Sequence, residues 1–238
     1  MQSDQLLTDL VHILKCHGAR HVIICPGSRN APLMQLFTRD DEFSCHSIVD
    51  ERSAAYLAMG MARELNEPVV VLTTSGTASL NLGPAVAEAY FQNIPLIILT
   101  ADRPEEWPPQ FSNQRVNQEN LFASNSKAYL GLPLIIERET DHLDVISGIN
   151  DILHKANSGA KGPVHLNIPL TEPLYKTISA EVSDACIHLQ ELTHIKDSTV
   201  SAENKNLLTK HLRAQDKVLI IAGVHPYTAE EELLLIGL

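Results

Sequence analysis

Apolar positions along this chain recur with two different periods. Leu6, Leu7, Leu10, Val11 and Leu14 repeat at intervals of three and four, which is one face of a helix. Ser3 is placed to cap that helix and Gly18 to end it. His21–Cys25 is a short β-branched run that breaks at Pro26-Gly27, which predicts a buried strand feeding a loop. A short helix is expected over Pro32–Phe37 and a second short strand over Cys45–Val49. Asp50-Glu51 opens a helix that runs to about Leu65 and carries Ala54, Ala55, Leu57, Ala58, Met61 and Ala62. Pro68–Thr73 and Pro95–Thr100 are further strands, separated by Ser75-Gly76-Thr77 and one helix reaching Tyr90. A long polar loop from Asp102 to Asn117, a helix near 141–156 and a strand at Val164–Ile168 complete this part.

Near-continuous apolar strands alternating with helices predict an α/β fold, a parallel sheet with helices on both faces. Such sheets bind ligands outside the carboxyl ends of their strands. The segments on that edge are Pro26–Ala31, Asp50-Glu51, Thr74–Asn81 and Asp102–Asn117. The first domain is placed at 1–175. From about 176 to 216 the sequence turns polar and reads as a linker, and Lys217–Gly223 begins a new strand in a truncated α/β unit over 217–238.

Charge and composition narrow the classes. With 18 Lys+Arg against 29 Asp+Glu the net charge is −11, and no basic cluster interrupts it, so nucleic acid is not an expected partner. No apolar run approaches the roughly 20 residues that span a bilayer, and MQSDQLLTDL lacks the regions of a signal peptide. A cytoplasmic protein without a membrane span is expected. Cys16, Cys25, Cys45 and Cys186 show no Cys-x-x-Cys spacing and are read as buried, reduced thiols. The histidines show no metal-ligand spacing and are read as surface or core-edge residues.

The chain has no G-x-x-x-x-G-K-[ST], no G-x-G-x-x-G and no G-x-S-x-G. Ser75-Gly76-Thr77-Ala78 follows a strand and opens a helix, a plain turn whose N–H groups also suit an anion. Arg29 and Arg103 each follow a strand end. Singly each reads as a surface arginine, and together as a clamp for a carboxylate ligand. Glu51 in a first helical turn complements the helix dipole, or else it hydrogen-bonds a ligand nitrogen.

Taken in order, several segments carry a resemblance: Cys25-Pro-Gly-Ser-Arg-Asn-Ala-Pro-Leu33, Asp50-Glu-Arg-Ser-Ala-Ala55, Thr73-Thr-Ser-Gly-Thr-Ala78 with Asn81, Leu99-Thr-Ala-Asp-Arg-Pro104, Asn113-Gln114 and Gly162–Leu170. They resemble the amino-terminal, pyrimidine-binding domain of the thiamine-diphosphate enzymes, and among these the menaquinone-pathway synthases. The resemblance implies a transferase that decarboxylates 2-oxoglutarate and adds the succinyl-semialdehyde carbanion to isochorismate. It implies that Glu51 contacts N1′ of the aminopyrimidine and that Pro26, Gly27, Ser75, Gly76 and Thr77 pack around that ring. Ser28, Arg29, Arg103, Asn113 and Gln114 are implied on the substrate side, Gln114 also near the thiazolium. It further implies thiamine diphosphate with Mg²⁺ or Mn²⁺ held by a carboxyl-terminal domain absent here, a homodimer or homotetramer, and no turnover by this chain alone.

Asn30 departs from the serine common at its position, and Glu105–Ser112 is unusual for the family. Two rivals stay open. One is another thiamine-diphosphate carboligase or 2-oxoacid decarboxylase of the acetolactate synthase kind. The other is a non-catalytic module that kept the fold.

Overall fold

The structure, a computed structural model, describes residues 4–104 and 115–183, all within one compact unit, Met1–Leu192. Asn113, Gln114, Cys186 and the strand expected at Lys217–Gly223 lie outside the described residues.

Six strands, β1 (His21–Ile24), β2 (Ser44–Ser47), β3 (Val69–Thr73), β4 (Leu96–Asp102), β5 (Ala128–Gly131) and β6 (Val164–Pro169), form one sheet in the order β2-β1-β3-β4-β6-β5. Every pairing is parallel, with His21 opposite Val69, Val69 opposite Leu96 and Thr100 opposite Asn167. The helices are α1 (Asp4–Cys16), α2 (Ala31–Arg39), α3 (Glu51–Leu65), α4 (Thr77–Leu80), α5 (Gly83–Phe91) and α6 (Glu139–Asn157).

The period-2 alternation of each strand divides the core. Val22, Val70, Leu72, Ile97, Leu99, Val164 and Leu166 face α1, α2 and α6. Ile23, Val69, Val71, Leu96 and Ile98 face α3 and α5. The fully buried residues by which helix α3 meets the sheet are alanines, Ala54, Ala55, Ala58 and Ala62, with Met59 and Met61 packed partly buried at their edge. Side chains this small let the helix backbone lie close to the strands. Its outer face leaves Tyr56 and Leu57 exposed, and Val49, Leu80 and Phe91 on other segments are exposed as well.

The structure adds one strand and changes three sequence expectations. β5 lies in a stretch for which the sequence predicts no element. The single helix over 75–90 is two: α4 stops at Leu80, and Pro84 at the start of α5 opens a new helix. Cys16 is exposed and Cys45 half-buried, so of the three described thiols only Cys25 is buried. His165 sits wholly inside the core instead of at its edge.

The first described residues of the expected linker, 176–183, lie against α1. Asp9, fully buried, accepts from the Ser183 amide at 2.8 Å and the Ser183 hydroxyl at 2.8 Å, and pairs with His142 Nε2 of α6 at 2.8 Å. Gln5 Nε2 also donates to Asp9 Oδ1, at 3.2 Å, so Asp9→Ala takes the acceptor from four groups at once. It is expected to cost about 3 kcal/mol, since a buried donor left without a partner carries its full desolvation penalty. Thermal unfolding is expected to fall by roughly 6–12 °C; a shift near zero would mean that Asp9 anchors nothing.

Candidate active site

The chain runs from β1 outward to β2 and then returns to β3 on the other side of β1, so the loops after β1 and β3 diverge from a switch point, the place where parallel sheets hold ligands. There the two loops touch. A Cβ added to Gly27 would stand 2.5 Å from Thr74 Cβ, and the Arg29 amide donates to Thr74 Oγ1 at 3.3 Å. Glycine at 27 is therefore a condition of this close approach. In the same loop Asn30, fully buried, donates from Nδ2 to the Cys25 carbonyl at 2.8 Å and closes the turn.

Arg29 is 8% exposed. Its Nη1 donates to the Leu170 carbonyl beyond β6 at 2.8 Å, and Nη2 stands 4.0 Å from Glu172 Oε1. Burial first, then the neighbouring Arg103 charge, holds its pKa below the ordinary arginine value, against the pull of Glu172 and Asp102. Arg29 and Arg103 therefore share one rim. Arg103, half-buried at the end of β4, has its amide bound to Asp102 Oδ1 at 2.7 Å. Asp102 is raised above the usual carboxylate range by burial, against hydrogen bonds from Asn167 and the Arg103 amide. Beside them opens a cavity of about 1070 Å³ lined in part by Arg103, Arg115, Gln118, Tyr129 and Asn167.

On the other side of the switch point, Asp50 caps α3 by accepting from the Ser53 amide at 2.8 Å, which holds its carboxyl below the usual range. That cap sets Glu51 in the first helical turn. Glu51 is half-buried, and its Oε2 accepts from Asn81 Nδ2 at 3.3 Å, across from α3 to the link between α4 and α5. Burial, then the charges of Glu51 and Asp50, push the Cys25 thiol up to about 12, so it is a protonated, unreactive filler beneath the acid.

Of the residues singled out from the sequence, Pro26, Ser28 and Thr77 are exposed on this edge, Gly27 and Ser75 are half-buried and Gly76 is buried. Gly76 has φ +86° and ψ −142°, a conformation that only glycine adopts freely.

Sequence reasoning passed over a polar group behind this rim. Thr100 Oγ1 donates to Asn167 Oδ1 at 2.7 Å and is 2.8 Å from His165 Nε2. Because the one hydroxyl proton goes to Asn167, Nε2 carries the imidazole proton and donates to Thr100. His165 Nδ1 finds no partner among the described residues, and burial pushes this imidazole down to about 3. A signal was present in the sequence. Thr100 and Asp102 on one strand, and His165 and Asn167 on the next, are polar residues two apart, hence on one face of what should be apolar core.

Residues 5–121 match the family described as "Thiamine pyrophosphate enzyme, N-terminal TPP binding domain". A 2-succinyl-5-enolpyruvyl-6-hydroxy-3-cyclohexene-1-carboxylate synthase of Desulfotalea psychrophila is 49% identical over 235 residues, covering 99% of this chain and 43% of the relative. The protein of the same name from Bacteroides thetaiotaomicron is 39% identical over 224 residues, 94% of this chain and 40% of the relative. The chain thus spans about two fifths of the length of the curated relatives it matches. A solved thiamine diphosphate-dependent 4-hydroxybenzoylformate decarboxylase of Rhodococcus jostii RHA1 superposes with a TM-score of 0.68 at 22% identity, over 89% of this chain and 37% of that one, which is a likeness of fold.

Proposed function

Because the chain belongs to the thiamine pyrophosphate enzymes, whose N-terminal TPP binding domain it carries, we propose that it forms the pyrimidine-binding side of a carboligase that decarboxylates 2-oxoglutarate and joins the product to isochorismate, giving 2-succinyl-5-enolpyruvyl-6-hydroxy-3-cyclohexene-1-carboxylate and CO₂. In this reading the chain is the amino-terminal part of a longer synthase. The observation that carries it is the pairing of one acid with two guanidinium groups along a single sheet edge, with Glu51 on α3 and Arg29 and Arg103 after β1 and β4.

The donor set suits thiamine diphosphate. Glu51 supplies a carboxylate for a protonated ring nitrogen, and Pro26, Gly27, Ser75, Gly76 and Thr77 line the same edge with backbone and small groups. Mg²⁺ or Mn²⁺ and the diphosphate are assigned to a carboxyl-terminal domain, as the resemblance to the family implies. When bound, the cofactor supplies the electron sink for decarboxylation. The chain supplies the rest: Glu51 holds a proton at the ring nitrogen N1′, while Arg29 and Arg103 hold substrate carboxylates. Each charge-assisted hydrogen bond there contributes about 1.5–3 kcal/mol. Ser28, Asn113 and Gln114 complete the substrate side.

The exposed apolar residues Val49, two positions before Glu51, and Tyr56 and Leu57 on α3, with Val49 82% exposed, favour cover by a second subunit, as a homodimer or homotetramer. Among the described residues no helix is long and apolar enough to cross a membrane, and a cytoplasmic location goes with the proposed reaction.

The test uses the complete synthase with thiamine diphosphate and Mg²⁺. CO₂ release from 2-oxoglutarate is expected, with isochorismate consumed alongside it. Turnover of pyruvate with isochorismate left untouched would assign the chain to another carboligase or decarboxylase. Absence of any turnover in the assembled protein would leave a binding module.

A further inference from the structure

β3 ends at Thr73, so the sheet ladder does not hold the turn at Gly76. The Gly76 amide is held instead by a side chain from beyond β4. Gln118 is 1% exposed, and its Oε1 accepts from the Gly76 amide at 2.7 Å. Its Nε2 donates to the Ala101 carbonyl at 3.1 Å and to Asn167 Oδ1 at 2.8 Å. Asn167 in turn donates from Nδ2 to Asp102 Oδ2 at 2.8 Å, and Asp102 Oδ1 accepts from the Arg103 amide at 2.7 Å. The result is an unbroken run of hydrogen bonds from the turn on the cofactor side to the arginine on the substrate side.

Resting on the function proposed above, we propose that Gln118 is a positioning residue that locks the Gly76 turn to the Asp102-Arg103 corner, so that the cofactor ring and the substrate carboxylate are presented in one fixed register. Two features favour this over a plain core contact. The Gly76 carbonyl is held from within the turn, by the Ser79 hydroxyl at 2.7 Å and the Ser79 amide at 3.1 Å, whereas the Gly76 amide finds its partner outside it, in Gln118. The side chain of Gln118 also spends both ends of its amide on the two halves of the site, one on the backbone of the turn and the other on β4 and β6.

Two variants separate the hydrogen bonds from the packing. Gln118→Met keeps length and volume but provides no donor for Ala101 or Asn167 and no strong acceptor for Gly76. Gln118→Glu keeps the acceptor. When ionised it faces two acceptor oxygens, and when protonated it can donate to one of them.

The first measurement is amide hydrogen exchange at Gly76 in the 238-residue chain. Gln118→Met is expected to speed exchange roughly tenfold, the equilibrium change of one lost hydrogen bond. Gln118→Glu is expected to keep protection at low pH and lose it as pH rises. The second measurement is in the complete synthase, where Gln118→Met is expected to raise the Kd of thiamine diphosphate and the KM of isochorismate together, with kcat largely retained. Unchanged exchange at Gly76 would overturn the lock, whatever the reaction. Faster exchange with Kd and KM unmoved would overturn the positioning role. Failure of the wild-type synthase to bind thiamine diphosphate would sink the function and the positioning role with it, while the exchange result would still report on the lock.

Discussion

Glu51→Gln is expected to lower turnover of the complete synthase by about 10²–10⁴-fold, the usual worth of a positioned proton-transfer group. The fold should not notice. Glu51 is half-buried, and the amide oxygen of glutamine can still accept from Asn81 Nδ2, the partner of the acid at 3.3 Å. Substitutions of this kind stay within about 0.5 kcal/mol. What the amide cannot do is carry the charge that, in the proposed function, would hold a proton at the ring nitrogen N1′. Glu51→Asp is expected to recover part of the rate, because the charge returns one methylene short. Steady-state kinetics beside a melting curve decide the matter. Full activity with an intact fold would remove Glu51 from the chemistry and favour the non-catalytic reading.

The second large effect is loss of stability in mild acid, with His165 as its main source. Its imidazole titrates near 3 in the folded chain against an ordinary 6.5. Between those values the unfolded chain takes up a proton that the folded chain refuses, so stability is present above pH 6.5 and is lost as pH falls through the window. At about 1.4 kcal/mol per unit, the loss reaches roughly 2–3 kcal/mol by pH 4.5 and 4–5 kcal/mol at full development. His17, also lowered by burial, adds to it in the same direction. Asp102 acts the other way. Its folded pKa is raised, so its contribution is present at low pH and fades as pH rises past it. Denaturant unfolding of the wild type and of His165→Leu from pH 7 to 4 tests this. The variant is expected to show a shallower slope by about one proton. Equal slopes would place the acid sensitivity elsewhere.

Why His165 escaped sequence reading is instructive. In Val-His-Leu-Asn-Ile-Pro the polar pair His165 and Asn167 alternates with apolar residues, which reads as a strand with one solvated face until Thr100 and Asp102 are set beside it. Thr100, the partner of His165, is 65 residues away. The inner strands were foreseen from runs such as Val-Val-Val-Leu and Leu-Ile-Ile-Leu, whose apolar continuity is itself the signature of a sheet covered on both faces. β5 lacks that signature. Ala-Tyr-Leu-Gly is short, without a β-branched residue, and lies at the sheet edge, where burial is partial.

The loops of the site were legible because strand ends and glycines mark them. The burial of Arg29 was not, because its seat is the Leu170 carbonyl, 141 residues along the chain. Gln118 was invisible for the same reason. A glutamine in a polar loop looks solvated until the fold brings Gly76, Ala101 and Asn167 around it.

The clasp on Asp9 has one more consequence. α1 and α6 occupy one side of the sheet, α3 and α5 the other, and Ser183 is fastened on the first side. The described segment 176–183 is therefore fastened to the face of the sheet away from α3, whose first turn carries Glu51. A fluorophore or affinity handle attached on the exposed side of α1 would sit across the sheet from that turn.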